Sequence, residues 1–330
     1  MKNIAKLLGL LLLFSAFAMT VSAPVQAKKD FTVSTSSKPY KNKYVKNPVY
    51  NKHTKHYLTL RSYLDEMSKK GGGTLTIKKG TYNISNALLV PSNVKILLQD
   101  GVVMNKIGNS HTKKLKAGHV MFECVRSSRI NKKGVVGKYN GEKNIQIIGE
   151  GTVIMNLSGC NKSEAIRVPH CKNVLIDNIT FTNLRDGHFI EVTASKDVTV
   201  QNCTFKNNLS GERCAINLDT PDKVTNGFNG KYSKFDKTPV LNVTIQNCGF
   251  YNLHRGIDTH RFSPNKYHTN VQILGCTFKD SVQSPIMMLN WKNAVIKGNT
   301  IDTVKGWSTN NIQKEKFAIY MRGGVIDPII

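Results

Sequence analysis

The chain has 330 residues, 40% of them hydrophobic, and a formal charge of +26 at neutral pH. Beyond its N-terminal stretch, no apolar run reaches the roughly 18 residues that a membrane-spanning helix needs. The basic excess comes without a basic helix or a stacking-aromatic motif, which argues against nucleic acid. It favours anionic partners: a polysaccharide substrate carrying acidic groups, or an anionic cell-wall polymer.

Residues 1–27 hold Lys2 and Lys6, an apolar stretch from Leu7 to Met19, and small residues ending at Ala27. This pattern predicts a secretory signal peptide and an extracellular protein, associated with the cell wall through its basic surface. Losing those two lysines lowers the formal charge from +26 to +24. Residues 28–56 are rich in Lys, Pro and Asn, and read as a basic flexible segment. From Leu58 to Lys70, Leu60, Tyr63, Leu64 and Met67 fall at helical spacing before Gly71-Gly72-Gly73. That predicts a short helix capping the domain that spans residues 57–330.

Five later segments repeat one pattern: NVLIDNITF, DVTVQNCTF, NVTIQNCGF, NVQILGCTF and NAVIKGNTI, starting at Asn173, Asp197, Asn242, Asn270 and Asn293. Alternation of apolar and polar residues marks half-buried strands, and the recurring period marks a solenoid. Stacked copies align Ile176, Val200, Ile245, Ile273 and Ile296, and separately Phe181, Phe205, Phe250, Phe278 and Ile301. The fold class is all-β, a parallel β-helix. Cys203, Cys248 and Cys276 share one inward position on adjacent rungs, so they read as core packing without disulfides.

Each rung carries a further strand. Aligning Ile166, Ile190, Ile216, Ile257, Ile286 and Ile319 inward leaves Arg167, Glu191, Asn217, Asp258, Met287 and Tyr320 pointing outward. Two residues on, Asp219 and His260 also point outward. Glu191, Asn217, Asp219, Asp258 and His260 therefore converge on three successive rungs about 4.8 Å apart. The segment from Thr220 to Val240 leaves the rung just after Asp219, and Arg261 to His268 leaves after His260. Such loops wall a cleft, where Phe228, Tyr232, Phe235 and Tyr267 either stack on sugar faces or anchor the loops.

Helix, GGGT, KGTY, SNV and DGVVM, followed by the rungs, resemble the opening of polygalacturonase-like members of the pectate-lyase-like superfamily. The resemblance covers about residues 57–326, and implies a right-handed, single-stranded parallel β-helix and carbohydrate chemistry. Asn217-Leu218-Asp219 is similar to that family's Asn-Thr-Asp. Asp258 stands where the family has an Asp pair, and Gly187-His188-Phe189 is similar to its Gly-His-Gly but precedes the acids. Gly256-Ile257-Asp258-Thr259-His260 resembles the Asp-Pro-His motif of alginate C5-epimerases, with Thr259 in place of proline.

Two chemistries fit these residues. Inverting hydrolysis needs carboxyls about 6.5–9.5 Å apart, which Asp219 with Asp258 (about 8 Å) or Glu191 with Asp258 (about 9.6 Å) would satisfy. Lyase or epimerase chemistry needs a base such as His260 or His188, with Arg213, Arg255 or Arg261 screening a uronate carboxylate, and Asn217 and Arg167 as further substrate-binding residues. A third reading is a glycan- or envelope-binding protein without catalysis. No motif calls for a cofactor; a calcium ion is left open.

Overall fold

The strands form because β-branched residues alternate with polar ones, and the corners form because Asn and Gly tolerate positive φ. At the corner after each NVxIxN strand, Asn178, Asn202 and Asn247 take φ of 54°, 54° and 53°, and Gly275 and Gly298 replace them on the next two rungs. Only Gly, and to a lesser degree Asn and Asp, adopts this left-handed geometry cheaply. The computed structural model describes residues 28–46, 48–306, 317–322 and 324–330. The expected signal peptide, residues 1–27, lies outside them.

Three parallel sheets run the length of the solenoid. The long sheet holds ten strands from Phe31–Val33 through Lys172–Asp177 and Lys196–Gln201 to Trp291–Lys292 and Val295–Lys297. A second sheet of eight strands carries the phenylalanine column. The third, also of eight, carries the candidate site and includes Ser163–Pro169, Gly187–Thr193, Cys214–Asp219 and Arg255–Asp258.

The core columns lie in the register read from sequence. Ile176 pairs with Val200, then Ile245, Ile273 and Ile296 follow. The rings of Phe181, Phe205, Phe250 and Phe278 stack with centroids 4.9, 4.9 and 4.6 Å apart, nearly parallel, at the spacing of the rungs. All seven cysteines are buried free thiols. The Sγ atoms of Cys203 and Cys248 donate to the carbonyls of Gln201 and Gln246 at 3.1 and 3.2 Å.

The helix Lys55–Lys69 covers the first rungs with Leu60, Leu64 and Met67, all fully buried. Each such side chain contributes about 1.5–3 kcal/mol of apolar burial. The Gly72 amide donates back to the Met67 carbonyl at 3.0 Å, a Schellman-type end made possible by Gly71 at φ 76°.

Residues 28–56 differ from the flexible segment expected. Phe31–Val33 pairs in parallel with Gly73–Ile77, and Val33 is buried. Asn42–Tyr44 forms a 3-10 turn, and Tyr44, Val49 and Tyr50 pack on the main core. A few apolar residues scattered among lysines suffice here, because the open edge of the first rung supplies their partner.

Candidate functional site

The site sheet departs from simple alternation. Ala165-Ile166, Phe189-Ile190 and Ala215-Ile216 are consecutive pairs that both enter the core. The residues flanking each pair therefore face outward: Glu164 and Arg167, His188 and Glu191, Cys214 and Asn217. Arg167 pairs in register with Glu191, Glu191 with Asn217, and Asn217 with Asp258. Thr193 pairs with Asp219, which places Asp219 one rung on and two residues along from Glu191. On sheet geometry that is roughly 8 Å.

A cleft of about 120 Å³ opens on this face, lined by Glu164, Arg167, His188, Glu191, Arg213, Asn217, Asp219 and His260, with Lys162 at one side. The loop after Asp219 roofs it with Asn226, Gly227, Phe228 and Asn229. Gly227 passes so close to the Thr220 carbonyl that a Cβ there would sit 2.0 Å from the oxygen. The loop is pinned by its own apolar cluster, Phe228 and Tyr232 against Leu89, Val125 and Val136.

That roof corrects the sequence reading in several places. The patch expected to be exposed is buried: Glu191, Asn217, Asp219 and Asp258 are 6%, 1%, 2% and 1% exposed. Tyr232, expected on the sugar-facing wall, is fully buried and its hydroxyl donates to Glu123 Oε1 at 2.7 Å. Its role is to anchor the loop. Tyr267 is also absent from the cleft lining, and its ring lies against Gly324. Asp258 lies beside the cleft without lining it, its Oδ2 held by Arg255 at 2.7 Å. Arg261 contributes its backbone, whose N–H donates to Asp219 Oδ1 at 2.6 Å.

Arg167 is saturated within the protein. It grips Glu164 with two bonds of 2.6 and 2.7 Å, reaches Glu191 at 3.2 Å and Glu123 at 3.6 Å, and donates to Asn229. Phe228 covers the guanidinium at 5.4 Å. Arg167 therefore orders the carboxyls; of the two other cations lining the cleft, Arg213 is held by Asp186 at 3.0 Å and donates to His260, while Lys162 forms no ion pair among the described residues.

The electrostatics separate the acids. Glu164 and Glu191 lie on adjacent rungs with the Arg167 guanidinium between them, and each alters the other's affinity for a proton. Burial opposes the charge on Glu164, but the bidentate Arg167 holds it below the usual carboxylate range. Burial, then the Glu164 charge, pushes Glu191 well above the usual carboxylate range. Burial pushes Asp219 up to about 8 despite the Arg261 amide, and pushes Asp258 up to about 6 despite Arg255.

The histidines move the other way. Burial takes His188 down to about 4, where its Nδ1 meets the Cys214 carbonyl at 3.1 Å and thiol at 3.3 Å. Burial, then the Arg213 charge, takes His260 down to about 3. Its Nε2 accepts from Arg213 at 3.0 Å, while its backbone N–H donates to Asn217 Oδ1. Among the described residues, no group of three or more His, Cys, Asp or Glu is arranged to hold a metal ion.

Sequence reasoning missed Glu164, Lys162 and Asn229. Glu164 carried a usable signal: two adjacent apolar residues on each rung, EAIR and then HFIE, mean that both flanking residues turn outward.

A sequence model of the right-handed β-helix region matches residues 120–301. The chain belongs to this family. It is 26% identical over 267 residues to plasmin and fibronectin-binding protein A of Streptococcus pneumoniae, covering 73% of this chain and 36% of that protein. The chain thus spans about a third of the length of the curated relative it matches. A crystal structure of PfbA, described as a surface adhesin of Streptococcus pneumoniae, superposes with a TM-score of 0.62 at 20% identity, covering 74% of this chain and 59% of that one. A 1,3-α-1,4-β-D-galactose-4-sulfate-3,6-anhydro-D-galactose-2-sulfate 4 galactohydrolase superposes with a TM-score of 0.52 at 15% identity, covering 83% and 58%. At these identities the superpositions show a shared right-handed parallel β-helix.

Proposed function

We propose that this chain acts outside the cytoplasm on an anionic polysaccharide and hydrolyses its glycosidic bonds with inversion. Asp219, protonated at neutral pH, serves as the general acid toward the leaving oxygen. The Glu164–Glu191 pair, gripped by Arg167, serves as the base that takes a proton from water. The observation that carries this reading is one cleft lined by Asp219, whose carboxyl burial pushes up to about 8, and by Glu164 and Glu191, both gripped by Arg167. Environments that push carboxyls apart in this way mark acid and base partners. Asp219 and Glu191 lie one rung and two residues apart, a backbone spacing of roughly 8 Å that is compatible with an attacking water between the acid and the pair. Arg213 and Lys162 would meet an acidic substituent on the sugar.

Lyase or epimerase chemistry through His260 is less well supported, because its Nε2 already accepts from Arg213 and is not free to take a proton from a sugar carbon. The adhesin reading keeps one specific support, the cleft of about 120 Å³, which is below the usual range of ligand sites, about 300–1,000 Å³. The chain-length distribution of acidic polysaccharides after incubation separates the readings. A hydrolase shortens one of them and releases reducing ends, a lyase adds ultraviolet-absorbing unsaturated ends, and an adhesin binds without changing length.

A further inference from the structure

The outer face of the long sheet is a different surface from the cleft, and its side chains repeat in register along the solenoid axis. One column runs Lys95, Gln146, Leu175, Thr199, Thr244 and Gln272. Beside it, at the corner, stand Asn93, Asn144, Asn173, Asp197, Asn242 and Asn270, all at φ of 54–61°. Their amides bond along the axis: Asn144 to Asn93, Asn173 to Asn144, Asn242 to Asp197 and Asn270 to Asn242, at 2.8–3.0 Å. Asp197 has no N–H to pass on to Asn173, so the ladder breaks in the middle of the row. Grooves of about 560 and 550 Å³ lie along the two ends of this same row. Each is the size of an ordinary ligand site.

Lys143, Lys172 and Lys196 border the row where the ladder breaks, in direct cross-strand register. Like charges placed opposite one another destabilise a sheet. Lys196 reaches Asp197 at 3.7 Å, while Lys143 and Lys172 form no ion pair among the described residues. Their backbone positions repeat with the advance of one rung, about 4.8 Å, so an extended sugar chain along the axis passes one lysine per rung. Amide and hydroxyl side chains beside the lysines offer the donors and acceptors that sugar hydroxyls use. The column holds no aromatic ring on which a base could stack, which disfavours single-stranded nucleic acid.

We infer that the outer face of the long sheet is a second, non-catalytic binding groove for a linear anionic polysaccharide lying along the solenoid axis. It does not depend on the hydrolytic reading, because the residues involved are separate from the cleft. Binding is measured by titration calorimetry on Asp219→Asn protein, so that turnover does not interfere. The probes are polygalacturonate, dextran sulfate, neutral dextran and single-stranded DNA. The triple variant Lys143→Gln, Lys172→Gln, Lys196→Gln should lose roughly tenfold in affinity for the charged polysaccharide, about the sum of three exposed ion pairs. A control triple, Lys113→Gln, Lys206→Gln, Lys279→Gln, removes the same charge elsewhere and should bind as the parent does. Equal loss in both triples, no loss in the first, or DNA bound as tightly as polysaccharide would each overturn the assignment.

Discussion

His260 Nε2 accepts a hydrogen bond from Arg213 at 3.0 Å, and burial together with that guanidinium charge holds the imidazole neutral inside the cleft. It follows that His260→Gln, which can still accept from Arg213 through its amide oxygen, should keep turnover within about tenfold of wild type. Steady-state kinetics on any responsive polysaccharide check this. A loss of the 10²–10⁴ that removing a general acid or base brings, about that range, would make His260 the proton carrier instead.

Stability should depend on pH in two opposed windows. His188 and His254 fall to about 4, and His260 and His268 to about 3, against about 6.5 unfolded. Depressed values mean that the unfolded chain binds more protons, so this stability is present above about pH 6.5 and is lost as pH falls toward 3. Asp219 is raised to about 8, so its contribution is present below about pH 4 and is lost as pH rises through 8. Melting scans should therefore show a loss below pH 6, and Asp219→Asn should gain on wild type at pH 9 more than at pH 5.

Asp258→Asn should harm folding more than chemistry. The Asp258–Arg255 pair is 1% and 14% exposed at the side chains, and Arg255 would lose its counter-charge. Breaking such a pair costs about 3 kcal/mol. Denaturant midpoints and turnover, measured together, would show whether the larger change lies in stability.

Removing the loop anchor is a milder test. Tyr232→Phe leaves Glu123 without the hydroxyl it receives at 2.7 Å in a buried setting, which costs about 1.5–3 kcal/mol. Limited proteolysis should cut the 220–240 loop faster in this variant. An unchanged cleavage rate would mean that the apolar cluster alone holds the roof.

The cysteine ladder sets a fifth expectation. Reductant should leave the melting temperature unchanged, because all seven thiols are free. Cys248→Ser should cost about 1–3 kcal/mol by putting a hydroxyl into the stack beside Cys203 and Cys276.

The rungs were legible in the sequence because each copy repeats its neighbour, so the Ile and Phe columns and the outward row from Arg167 to Asp258 could be placed by alignment alone. The roof was not. Tyr232 meets Glu123 across 109 residues, and Asp236 receives the Lys138 amide across 98. No local pattern encodes such contacts. The outward row was therefore read as solvent-exposed, and Asp258 and Tyr267 were expected in a cleft that does not include them. The strand Phe31–Val33 escaped notice because three residues are too few to show a period.

The rate at which reducing ends appear from an acidic polysaccharide, compared between wild type and Asp219→Asn, tests the proposed chemistry most directly. The substitution is nearly isosteric and preserves the acceptor for the Arg261 amide, so circular dichroism should show an intact β-helix. The account predicts a loss of about 10²–10⁴ in rate, with products free of unsaturated ends. A wild-type rate in Asp219→Asn, or glycan bound by the wild type but never shortened, would contradict it.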